Sequence, residues 1–137
     1  VFARAERAAW EETGEAYRPD LLADVPLIPA HTALLTTTVY HGSNPPGIVD
    51  IVPSESPRPA GWTAALVIVD GLIGQAVDDG ICQRFSHVPG MPELLLRAVS
   101  YRRYVNDLHS ASRSNTRSHI ERVEQHLVSR ASAILER

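Results

Sequence analysis

A chain of 137 residues with 44% hydrophobic content, 16 acidic and 13 basic residues and a formal net charge of −3 is large enough to fold as one domain, 1–137, and too apolar to be disordered. Its lone cysteine, Cys82, excludes an internal disulfide framework, and no apolar run reaches the ~18–20 residues that span a bilayer. The N-terminus lacks a basic-then-apolar leader, so the expectation is a cytoplasmic protein without a membrane partner.

Every basic residue is arginine. Without lysine there is no P-loop, no protein kinase site and no Schiff base. Each cation is a planar guanidinium suited to carboxylates and phosphates.

The first segment, 1–17, reads as a helix with Phe2, Ala5, Ala9, Ala16 and Tyr17 on one face, Trp10 beside them and Glu6, Glu11, Glu12 and Glu15 on the rest. Pro19 breaks it, and Pro26 and Pro29 keep the following chain irregular. The run 32–41, with Thr36-Thr37-Thr38-Val39-Tyr40, predicts a strand. Gly42-Ser43-Asn44-Pro45-Pro46-Gly47 predicts a turn, and Ile48–Val52 a second strand, giving a β-hairpin over about 32–52. Two strands alone are marginal and need a covering element or partner. Residues 54–61 read as a loop.

The longest apolar stretch follows. Ala65, Ile68, Val69, Leu72, Ile73 and Ala76 recur at helical spacing, which predicts a helix over about 62–79 with Gly80 as its C-terminal cap. The alternative is an α/β fold with 64–69 as a central strand, because Val67-Ile68-Val69 is β-branched. Cys82 reads as a small buried hydrophobe. Pro92 opens a helix from about 91 to 109, and Ser114 or Asn115 caps a last helix to about 135. These form a C-terminal helical pair, 91–135. Ile120, Val123, Leu127, Ala131 and Ile134 make a narrow apolar stripe that resembles a helix–helix seam, and they are the candidate self-association residues. The predicted fold class is thus α+β, mostly helical.

Charge is unevenly placed. Residues 1–96 hold 5 Arg and 12 Asp/Glu, net −7, while 97–137 hold 8 Arg and 4 Asp/Glu, net +4. Either the halves pack against each other or the basic tail binds an anion. The candidate anion or nucleic-acid residues are Arg102, Arg103, Arg113, Arg117 and Arg122. Asp70, Asp78 and Asp79 are expected to pair with arginines of this tail rather than to act in catalysis. His119 and His126, two helical turns apart, are too distant to share a metal, and neither metal nor cofactor is expected.

Two short motifs suggest chemistry. Arg103-Tyr-Val-Asn-Asp-Leu-His109 resembles the active-site motif of HEPN-type helical ribonucleases, which implies His109 as general acid or base and Arg103 as phosphoryl stabiliser. Val39-Tyr40-His41-Gly42-Ser43 looks like the first-strand fragment of ADP-ribosyltransferases, which implies that His41 contacts NAD. A later tyrosine segment and a catalytic glutamate have no counterpart. The first expectation is a non-enzymatic interaction or ligand-binding module, a homo-oligomer that self-associates through helices. A nucleic-acid-associated protein is second, and an enzyme acting on NAD or RNA third.

Overall fold

The computed structural model describes residues 2–14, 22–108 and 114–135. Among them lie six helices and two short antiparallel strand pairs, a mostly helical α+β fold. The order is α1 (Phe2–Gly14), β1 (Leu27–Ile28), α2 (Leu34–Thr37), β2 (Thr38–Val39), β3 (Gly47–Ile48), β4 (Arg58–Pro59), α3 (Trp62–Ile73), α4 (Ile81–Arg84), α5 (Met91–Leu108) and α6 (Ser114–Leu135). Helix α5 is the hub, packing against α1, α3 and α6.

The apolar stretch is a helix, so the alternative of a central strand at 64–69 is overturned. It is buried on most sides, through Trp62, Ala65, Leu66, Ile68, Val69 and Leu72. It ends at Ile73, six residues before the expected 79. The reason is local. The Gln75 N–H donates to the Leu72 carbonyl and the Ala76 N–H to the Gly71 carbonyl, at 3.2 and 2.8 Å. Gln75 is left-handed, with φ of 56°. This is a Schellman stop. Val77 folds back over Gly71, where an added Cβ would lie 2.9 Å from its Cγ2. Gly80 therefore opens α4 instead of capping α3.

Trp62 is the centre of the core. Its ring meets Trp10 and Tyr101 edge-on, with centroids 4.9 and 5.5 Å away. Helix α1 turns a different face inward than its alanine spacing suggests. Glu6, Ala9 and Thr13 are buried, while Ala5 is exposed and residues 15–17 lie outside the described residues. Glu6 is tolerated because Arg58 Nη2 donates to both of its carboxylate oxygens, at 3.0 and 2.7 Å, and the Glu55 N–H donates at 2.8 Å. Arg58 and Arg97 both lie over the Trp10 ring, at 4.5 and 3.2 Å. Gly14 leaves room for Arg97, whose Nη2 would stand 2.5 Å from a Cβ there.

The expected helical pair is present as α5 and α6. Ile120, Val123 and Leu127 join the core.

Candidate interaction surface

The hairpin is longer and more irregular than 32–52. Leu27 pairs with Pro59, His31 bridges to Pro53, and Thr38 pairs with Ile48. Each pairing nests inside the one before, so 27–59 is a single interrupted arm. Residues 54–61, expected to be loop, supply β4. The strand expected at 32–41 is strand only at Thr38–Val39, and its partner begins at Gly47. Leu34–Thr37 is a helical turn because the threonine hydroxyls bond backwards. Thr37 Oγ1 donates to the Ala33 carbonyl at 2.8 Å and Thr38 Oγ1 to the Leu34 carbonyl at 2.7 Å.

The root of the arm is pinned. The Thr32 N–H donates to the Val52 carbonyl at 2.8 Å, and the Ser54 N–H to the Ala30 carbonyl at 2.9 Å. His31 Nδ1 accepts from the Ala33 N–H, which places the ring proton on Nε2 for the Asp50 carbonyl, 3.0 Å away. Beyond the root the arm is bare. Every residue from 39 to 51 is exposed, including Val39, Ile48, Val49, Tyr40 at 70% and Ile51 at 73%. Leu27 and Ile28 are also exposed. The two-stranded pair β2–β3 has no third strand on either edge among the described residues.

The structure disperses the arginines. Arg102 donates to Asp70 through Nε and Nη2, at 2.6 and 2.7 Å, and to the Thr32 carbonyl through Nη2 at 2.7 Å. It thereby ties α5, α3 and the arm root. Burial pushes the Asp70 carboxyl above its ordinary range, and Arg102 pulls against that shift. Arg103 pairs with Glu124 on α6. Arg117 lies 3.6 Å from Asp107 and 3.9 Å from Glu121. Arg122 Nη2 donates to the Leu72 carbonyl at 3.1 Å, at the C-terminal end of α3 where a cation is favoured. Arg113 lies outside the described residues. Arg103 and Arg117 share a cavity wall, and Glu121 and Glu124 line it with them.

The apolar stripe of α6 is spent largely within the chain. Ile120, Val123 and Leu127 are buried, whereas Ala131 is half-buried and Ile134 is 46% exposed. Those last two line a small apolar cavity beside the buried Cys82. Asp79 faces His126 at 3.7 Å. Of the two short motifs, His109 lies outside the described residues, and His41 stands exposed at the arm tip.

Two features escaped the sequence. The exposure of Tyr40 and Ile51 left one trace, since between Thr36 and Pro53 the only residue charged at neutral pH is Asp50. The burial of Glu6 left none. Among the described residues, no helix is long and apolar enough to cross a membrane, and no three His, Cys, Asp or Glu gather as metal ligands would. No family model, curated protein or solved structure matches the chain.

Proposed function

We propose that this chain is a non-enzymatic interaction module that self-associates by docking its arm on the arm of a second copy. The supporting observation is the uninterrupted exposure of 39–51 with five large apolar side chains on it. Exposed apolar surface concentrated in one place marks an interaction site. An uncovered two-stranded edge is also a template for another strand. The arm is pre-organised by its root, which lowers the ordering cost of docking.

The occupant follows from charge. A partner recognised electrostatically would need charges to meet, and the exposed stretch 39–51 offers only Asp50 at neutral pH. Two identical arms meet across a twofold axis with little repulsion and with self-complementary edges. The interface moves from the helices to the arm because the α6 stripe is occupied. The nucleic-acid alternative is weakened by the carboxylates that hold Arg102, Arg103 and Arg117.

Light scattering coupled to size exclusion tests this. The protein should run as a dimer that dissociates on dilution. A variant carrying Tyr40→Ser, Ile48→Thr and Ile51→Ser should run as a monomer with unchanged helicity. A wild-type monomer at every concentration, or a variant that remains dimeric, overturns the proposal.

A further inference from the structure

A cavity of about 260 Å³ lies where α1, α5 and the arm root meet. Its walls are apolar at Val52, Val105 and Leu108 and polar at Glu6, Tyr101 and Arg102. The mix is that of a small-molecule site, and the volume, just under the ~300–1,000 Å³ of drug-sized pockets, limits the occupant to a small compound. Tyr101 is 2% exposed, and among the described residues its hydroxyl has no hydrogen-bond partner. The chain thus leaves a donor open at the cavity wall. Arg102 spends Nε and Nη2 on Asp70 and Thr32, and its Nη1 makes no hydrogen bond among the described residues. Neither atom is among the buried polar atoms left without a partner, so both are open to solvent, and a ligand acceptor there would take the place of water.

The electrostatics select the ligand. Glu6 is neutralised by Arg58, and Asp70 by Arg102, so this end of the cavity carries no net charge. Burial, and then the Glu6 carboxylate, push the Tyr101 phenol up to about 12. An environment that resists forming a phenolate resists an arriving anion for the same reasons. What fits is an acceptor without charge, on an apolar body that covers Val52, Val105 and Leu108.

We propose that this cavity binds a small neutral carbonyl compound, an amide or ketone with an aliphatic body, whose oxygen accepts from Tyr101 Oη and Arg102 Nη1. The site is separate from the arm tip and does not depend on self-association.

The chain supplies its own reporter. Its two tryptophans are Trp10 and Trp62, and the Trp62 ring contacts Tyr101. Cyclohexanecarboxamide, which does not absorb at tryptophan wavelengths, should produce a saturable change in intrinsic fluorescence. Cyclohexanecarboxylate, the same body with a charged head, should bind roughly tenfold more weakly or worse. Tyr101→Phe keeps the ring and removes the donor, and should weaken the carboxamide about tenfold. Leu108→Ser, at an exposed wall position, should weaken it several-fold and leave folding intact. No saturable change with the carboxamide overturns the proposal. So does a carboxylate that binds as tightly, or an unaltered affinity in Tyr101→Phe.

Discussion

Gln75 holds a backbone conformation that L-residues with side chains avoid, at φ 56°, to close α3. Gly74 sits one position too early to take that role, with φ −78°. Gln75→Gly should therefore stabilise the fold by about 1 kcal/mol. A thermal scan should show a rise of about 2–4 °C. Glu6 is the opposite case, a charge whose burial depends on a single guanidinium. Glu6→Gln should cost about 3–5 kcal/mol, because Arg58 is left buried and uncompensated. The pair Glu6→Leu with Arg58→Met should recover most of that loss in urea denaturation. Neither residue announced itself. Gln75 is an ordinary polar residue near a glycine, and Glu6 lies among other glutamates on a helix of alternating polarity. Glu6 takes its role from Arg58, 52 positions away, which no local pattern contains, and Gln75 takes its role from the Leu72 carbonyl that its own N–H reaches, with no glycine at that position to mark the stop.

At the scale of elements, period was the legible signal. The helical spacing in the central stretch and in 91–135 located α3, α5 and α6, because those segments bury a continuous face against one another. The arm was legible only as a hairpin with a Gly-Pro turn. Its helical interruption came from threonine hydroxyls that compete with strand pairing, and propensity alone favoured the strand. Arg102 joins these two classes of element, and its loss has a pH signature. Burial already raises Asp70 above 3.8, and Arg102 is what opposes the rise. A carboxyl with a raised folded value gives its full stabilisation below the unfolded value and loses it as pH rises through the folded one. Arg102→Ala moves that folded value higher still. The variant should be closest to wild type in acid and should lose about 2–3 kcal/mol at neutral pH. Denaturant midpoints measured across pH check this, and a deficit that grows toward acid would contradict it.

At the scale of the molecule, the basic tail is held partly by the body and partly by itself. Asp70 and the carbonyl end of α3, in the acidic body, take Arg102 and Arg122, whereas Glu124 and Asp107, which take Arg103 and Arg117, belong to the tail. The assembly proposed for the arm is accordingly apolar, and raising ionic strength should leave the dimer intact in light scattering. Dissociation by salt would point instead to the charged helices.

The nesting of the arm has a consequence for how such a chain changes over generations. Thr32 and Val52 close the excursion at its base, and nothing from 39 to 51 contributes to the core. The entropic cost of closing that excursion grows only slowly with its length. Substitutions and insertions at the tip are therefore invisible to folding, and selection there acts only through whatever the tip touches. The body is inherited under the discipline of packing, while the tip is free to drift toward a new companion.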